Sequence, residues 1–446
     1  MEKFSEDKRK ILHILMGLFA LLLRWLPWQI ALLCALAALI NNLTLLRWIG
    51  EKTLFREKER KGVGGIIFYP ISVFLLILIF RNSLHIAGAG WGMMAFGDGI
   101  ATLTGVHFGR KKLPWNKEKS WVGLFSSLIF GYLSMVFLIL WIGSRYGSIN
   151  IYHLFIAPAI VAIFASFIET MKIGIDDNLT IPLFSGIFLY YLYLIEPALL
   201  KSNLSVILSR LPFALLFTLI FAIPGYLIKG VNLSGFFSGI LMGAGIWIFS
   251  DYKGFLSLLL FFLLGTLSTK IGYSKKKMLG IEERDEGARS WKNVLGKGLS
   301  PLLFSILSLL SKNPIPFSVA FYSSLCAGTF DTVSSELGKT FGKRTISPVS
   351  LKEVRKGEPG GISIAGLGFG ILSALIFIIF SFIINPSFKF STFFVSLLLS
   401  SIVSNFAESY ISILLEEKRL ISNEITNFLN TLIAGILGCL IYSVNI

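Results

Sequence analysis

Two short stretches of this chain place an acidic residue a fixed distance ahead of a glycine, an aromatic residue and a basic run. GDGIATLTGVHFGRKK, from Gly97 to Lys112, and FDTVSSELGKTFGKR, from Phe330 to Arg344, come into register when Asp98 is set on Asp331. Gly105 then falls on Gly338, Phe108 on Phe341, Gly109 on Gly342 and Arg110 on Lys343, with a hydroxyl at Thr102 or Ser335. Later in each half another acid recurs: Glu169 with Asp176, Asp177 and Asn178, and Glu408 with Asn427 and Asn430.

An ionised carboxylate on a transmembrane helix costs roughly 2.5 kcal/mol or more near the bilayer centre, and less near the interface, so it needs a partner. None of Asp98, Glu169, Asp331 and Glu408 has a basic partner evident in its own helix. A divalent cation would supply one, and magnesium takes one or two carboxylates together with water and substrate phosphates. The expected metal ligands are Asp98 with Glu169, Asp177 or Asn178, and Asp331 with Glu336; Glu336 reads equally as a surface acid. Arg110, Lys111, Lys117 and Lys119 in the first half would neutralise phosphates, as would Arg289, Asn293, Lys343, Arg344, Lys352 and Lys356 in the second. Gly360 and Gly361 are expected to form an anion-facing turn before a helix. His13 is either a general base or alcohol-binding group, or an ordinary interfacial histidine. The competing account has the two aspartates ending their helices and the glycines letting helices approach closely. Asn427 and Asn430, about one turn apart, share a face and serve either substrate or an interhelical clamp.

Membrane helices must carry these groups. With 54% apolar residues, 40 Phe and only 15% charged residues, the chain has too little polar surface for a soluble globule of 446 residues. Mean hydropathy is +0.75. Apolar runs without period-two alternation predict an all-α, polytopic integral membrane protein with about fifteen spans in two related helical bundles. The runs cover 11–26, 28–49, 63–80, 84–104, 120–143, 151–169, 181–199 and 211–229. They continue over 232–249, 254–271, 298–311, 318–337, 361–385, 391–414 and 424–444. With the N-terminus inside, the loops 50–62, 105–119, 272–297, 338–360 and 415–423 are cytoplasmic and hold nearly all the basic clusters. The net charge of +16 therefore reports orientation, and nucleic acid is not an expected partner. Arg24 interrupts the first apolar run, which reads as a retained helix. Cys34, Cys326 and Cys439 lie in separate runs and read as small core residues.

Residues 1–200 resemble the dolichol, phytol and polyprenol kinase family of CTP-dependent membrane enzymes. The likeness rests on Arg9-Lys10-x-x-His13-x-x-x-Gly17, the GDGIATLTGVHFGR segment, KEKSWVG over 117–123, and Glu169 with Asp177-Asn178 and Pro182. Residues 230–446 resemble the membrane family that contains the plant phytyl-phosphate kinase. Its matching stretches are RSWKNVLGKG (289–298), GTFDTVSSELG (328–338), PVSLKEVRKGEPGGISIAGLGFG (348–370) and NEITNFLN (423–430). Asn405-Phe406-Ala407-Glu408-Ser409 departs from that family, which more often has an Asp-Ser pair in a Gly-rich helix. The domains are accordingly drawn as 1–204 and 205–446.

The two resemblances imply consecutive reactions with Mg2+ as cofactor. An isoprenoid alcohol would be phosphorylated from CTP, and its monophosphate would then receive a second phosphate from CTP or another nucleoside triphosphate. Fusion would pass the monophosphate between sites, and a lateral opening is expected because the tail stays in lipid. The sites would face the cytoplasm, at the plasma membrane if the source is prokaryotic. A Walker A loop, GxxxxGK[ST], does not occur. Asp98-Gly99-x-Ala101 opens like a CDP-alcohol phosphotransferase motif but lacks its Arg and later aspartates. A cytidylyltransferase acting on a lipid phosphate would release pyrophosphate. A transporter would keep its acids near the midplane, not at one face beside basic loops.

Overall fold

Within hydrocarbon each backbone N–H and C=O must find its partner inside its own segment, so apolar runs become helices. A computed structural model of the chain describes residues 6–44, 64–145, 149–171, 175–282 and 287–444. Its described residues are helical apart from one short antiparallel ribbon and a few connecting loops. They form two compact units, Met1–Leu194 and Ile195–Ile446. The boundary drawn at 204/205 falls inside the helix Pro197–Leu227.

The first unit contains α1 (Glu6–Gly17), continued by a 3₁₀ segment Leu18–Arg24, then α2 (Trp28–Leu43) and α3 (Gly65–Ile79). Next come α4 (Leu84–Gly92), a π-helical stretch Met93–Asp98, α5 (Gly99–His107), α6 (Trp121–Gly143), α7 (Ala157–Glu169) and α8 (Asp177–Leu194). The second unit contains α9 (Pro197–Leu227), α10 (Leu233–Lys270), α11 (Tyr273–Met278), α12 (Trp291–Leu310) and α13 (Pro314–Phe341). After the ribbon of β1 (Thr345–Ile346) and β2 (Glu353–Val354) follow α14 (Ile364–Ile384), α15 (Phe390–Ile411) and α16 (Asn423–Val444).

Among the described residues, eight helices are long and apolar enough to cross a membrane, with Trp28–Leu43 and Gly65–Ile79 as shorter apolar helices. The expectation of about fifteen spans is therefore too high. The run 84–104 is divided among α4, the π stretch and α5, and 11–26 between α1 and the 3₁₀ segment. The runs 232–249 and 254–271 are two helical segments of α10 that meet at a break at Asp251, whose backbone is not helical (φ 56, ψ −167). The basic loop expected over 50–62 lies outside the described residues. Cys326 is buried as expected, whereas Cys34 is exposed.

In each unit the helix that bears the motif acid is the central one. The π stretch and α5 lie against α1 and α6, and α13 packs against α10, α12, α14, α15 and α16. The motif glycines make that crowding possible. Ser120 caps α6 by accepting from Gly123 N (3.2 Å), and Ser363 caps α14 by accepting from Gly366 N (3.1 Å). A Cβ on Gly342 would lie 2.5 Å from Gly338 O and 2.8 Å from Ser363 Oγ, and Gly109 is hemmed in the same way by Gly105 and Ser120. These glycines let the helix end approach the next helix start, as the close-packing account of them holds. Gly342→Val should destabilise the detergent-solubilised protein by roughly 1–3 kcal/mol through overpacking. Gly239→Ala, whose Cβ meets nothing within 4 Å, serves as the neutral comparison in the same thermal melts.

Candidate active site

Asp98 closes the π stretch Met93–Asp98, a helix form that often marks functional positions. Its carboxylate is buried, and Lys10 Nζ donates to Oδ2 at 2.5 Å from α1. His13, one turn along α1, lies 3.8 Å from the same oxygen. It donates from Nε2 to Met94 O at 3.0 Å, because a carbonyl only accepts. On the loop ahead of α6, Lys119 Nζ donates to Glu169 Oε1 at 3.1 Å and stands 3.7 Å from Asp177 Oδ2. Burial alone would lower the Lys119 ammonium, but the carboxylates of Glu169, Asp98 and Asp177 outweigh it and hold it above the usual lysine range. Lys10, Asp98, Lys119, Glu169, Asp177 and Asn178 together line a polar cavity of about 340 Å³. Beside it is an apolar cavity of about 490 Å³, and Arg9 lines both.

The second unit repeats the scheme with different residues. Lys297 Nζ, from α12, donates to Asp331 Oδ2 at 2.6 Å and to Thr332 Oγ1 at 2.5 Å. Asn405 Nδ2 lies 3.5 Å from Asp331 Oδ1. Asp331, Glu408, Lys297, Arg289 and Lys356 line a polar cavity of about 220 Å³. An apolar cavity of about 150 Å³ shares Arg289, Asn293, Lys297, Thr332 and Asn427 with it.

Neither acid has a basic partner in its own helix, but each has a lysine partner from another one. Lys10 is 88 residues from Asp98 and Lys297 is 34 from Asp331, beyond any local pattern. The available signal was local: Lys10 stands between Arg9 and His13 on α1, and Lys297 follows Asn293 by four residues on one face of α12.

Several expected contributors are elsewhere. Arg110, Lys111, Lys117, Lys343, Arg344 and Lys352 are exposed and line neither polar cavity. Short turned-back loops carry them, held by the Lys112–Ser120 bridge and the β1–β2 ribbon. Glu336 lines the cavity wall, but Lys276 donates to its Oε2 (2.6 Å) and Lys339 to its Oε1 (2.8 Å), so both oxygens are taken. Lys276, wholly buried, also binds Thr269 O (2.6 Å) at the end of α10, so Glu336 helps tie α11 and the end of α10 to α13. Gly360 adopts φ 71 and lines the cavity, but the Gly361 N–H is spent on Glu358 O at 3.1 Å within the turn. Asn293 Oδ1 accepts from Ser290 N (2.9 Å) as a helix cap, although its side chain still reaches both cavities. Asn427 lines both cavities as well.

Whether magnesium suits these residues turns on which oxygens are left over. Glu169 Oε2 and Asn178 Oδ1 are buried without hydrogen-bond partners in residues that line the first polar cavity. The Glu408 carboxylate accepts no hydrogen bond among the described residues. Among those residues no three His, Cys, Asp or Glu side chains converge into a cage. Hard oxygens in ones and twos beside cationic residues fit a magnesium site that substrate phosphates complete.

Comparison with known proteins agrees with the membrane architecture. The family model described as Integral membrane protein DUF92 matches residues 216–435. An uncharacterized membrane protein of Methanocaldococcus jannaschii is 35% identical over 202 residues, covering 45% of this chain and 82% of that protein. Protein VTE6, chloroplastic, of Arabidopsis thaliana is 28% identical over 225 residues, covering 48% and 66% of the two chains. Phytol kinase 1, chloroplastic, of the same plant is 29% identical over 197 residues, 39% of this chain and less than two thirds (62%) of its own length. No solved structure matches the chain.

Lys10→Met should leave Asp98 buried and uncompensated, lowering stability by about 3–5 kcal/mol, and Lys10→Met/Asp98→Asn should recover most of it. Denaturant unfolding of the single and double variants measures this coupling.

Proposed function

The chain belongs to the integral membrane protein DUF92 family, and from that premise we propose that it is a membrane-embedded isoprenoid kinase. In this reading the first unit phosphorylates an isoprenoid alcohol and the second phosphorylates the resulting monophosphate to the diphosphate. CTP or another nucleoside triphosphate is the donor. The observation that carries the reading is the pairing of cavities: in each unit a polar, cation-lined chamber adjoins an apolar one through shared basic residues. Such a site suits an acceptor with a phosphorylatable head and a hydrocarbon tail. The phytol kinase among the relatives supports the same substrate class.

Phosphoryl transfer asks a protein to align donor and acceptor and to spread negative charge. Arg9, Lys10 and Lys119 would neutralise the nucleotide phosphates in the first chamber, and Arg289, Lys297 and Lys356 in the second. The acceptor oxygen bonds to the terminal phosphorus as the bond to the nucleoside diphosphate breaks. His13, its Nε2–H held by Met94 O, keeps Nδ1 for the alcohol proton. Asp98, Glu169, Asp177 and Asn178 would hold magnesium in the first unit, and Asp331 with Glu408 in the second. Bound there, the ion would offset charge on the transferring group. Sites facing the cytoplasm, where nucleotides are abundant, complete the proposal.

Incubation of the protein in nanodiscs with terminally labelled CTP or ATP and geranylgeraniol or phytol should yield labelled monophosphate and then diphosphate. Asp98→Asn should lower the first step by roughly 10²-fold or more and spare the second, and Asp331→Asn should do the reverse. Loss of both steps in either folded variant, release of pyrophosphate, or no labelled lipid from any alcohol would overturn the assignment.

A further inference from the structure

The apolar cavity of the first unit is a gap between neighbouring segments. α1 and its 3₁₀ continuation lean on α4, α5 and α6, whereas α2 leans on α3. Because Leu26 and Pro27 turn the chain directly from one segment into the other, the two run antiparallel. Arg9 and Asn42 lie at one end of the gap, with Leu26 and Ala31 at the other. The Arg9 end is the polar end, since Arg9 also borders the chamber of Asp98.

Two features describe what such a gap could hold. The first is its side opening: Phe19 and Leu22 on the wall are 54% and 42% exposed, and Cys34 opposite them is exposed too. In a 3₁₀ segment residues three apart eclipse, so Phe19 and Leu22 form one row along the opening. The second is length. From Arg9 to Arg24 the wall extends roughly 25 Å, at about 1.5 Å per α-helical and 2.0 Å per 3₁₀ residue. An extended covalent chain advances about 3.3–3.6 Å per three bonds, so the part of the wall beyond His13, roughly 20 Å, accommodates on the order of 17 bonds, close to the main chain of a diterpenol.

We propose that this cavity is a lateral acceptor channel that admits an isoprenoid alcohol from the bilayer and sets its tail at about diterpenyl length, an inference that rests on the kinase reading. Ala31, Ala35 and Ala38 lie on one face of α2 and line the channel, each presenting only a methyl group. Ala31, beside Leu26, is the floor. Ala38, nearer Asn42 and Arg9, borders the reacting end. These two positions set specificity without touching the reacting atoms, and a bulky side chain at each should act differently along the tail.

Ala31→Phe should lower kcat/KM for geranylgeraniol about 10-fold or more relative to geraniol, while Ala38→Phe should lower both together. A binding readout that needs no turnover comes from Cys34 in a Cys326→Ala/Cys439→Ala background. Geranylgeraniol should slow its alkylation by N-ethylmaleimide several-fold, and geraniol should do so less. Phosphorylation by the unaltered protein with an unchanged length profile in Ala31→Phe and an unprotected Cys34 would sink the channel and leave the kinase standing. Length-dependent protection of Cys34 without phosphorylation of any alcohol would keep the channel and remove the kinase. Should Ala31→Phe fail to fold, protection of Cys34 decides the matter.

Discussion

A carboxylate among membrane helices is tolerable only when something neutralises it, and in this chain that something is a lysine from another helix. Lys10 reaches Asp98 and Lys297 reaches Asp331, each across a contact of near-minimal length. Breaking such a pair is far more damaging than never having made it, because the remaining charge stays buried. The acid-bearing helix is therefore tied to its neighbour, and each polar chamber keeps its shape around the pair. In the proposed kinase the same lysine would serve either anion, the acid or a substrate phosphate.

The chambers are polar at one end and apolar at the other because the helices around them change character along their length. In α1 the sequence passes from Arg9, Lys10 and His13 to Met16, Phe19 and Leu22 within a few turns, and the wall of the gap changes with it. In the second unit Arg289 stands ahead of α12, and Asn293 and Lys297 descend that helix toward the apolar lining supplied by Phe221, Phe255 and Phe262. An amphiphile is the ligand whose own polarity follows this gradient. A soluble sugar or nucleoside would leave the apolar part unfilled, and a hydrocarbon would leave buried cations without a partner.

The glycines of the repeated motif work on a different scale. Their part is steric, allowing the end of one helix to abut the serine cap of the next in both units. That abutment turns the basic residues after the motif outward, which explains why Arg110, Lys111, Lys343 and Arg344 stand exposed while more distant cations, Lys119 and Lys356, reach the cavities. Buried polar oxygens left unpaired at Glu169 and Asn178 then single out the part of the first chamber with unused coordinating capacity.

By itself the sequence determined the medium, the helical class and the placing of Asp98 and Asp331 among apolar helices, because hydrophobic length and the rarity of acids in apolar runs are local properties. It also brought Glu169, Asp177 and Asn178 into view through their clustering. Only the tertiary structure decided what neutralises those acids, since Lys10 and Lys297 are remote in the chain and meet them through helix packing. The same holds for Glu336, whose reading as a surface acid gave no hint that Lys276 and Lys339 would each donate to one of its oxygens. Span count, too, was settled in three dimensions, where π and 3₁₀ segments divided runs that look uniform in composition. Periodicity records which residues share a face; which faces meet depends on how whole helices pack.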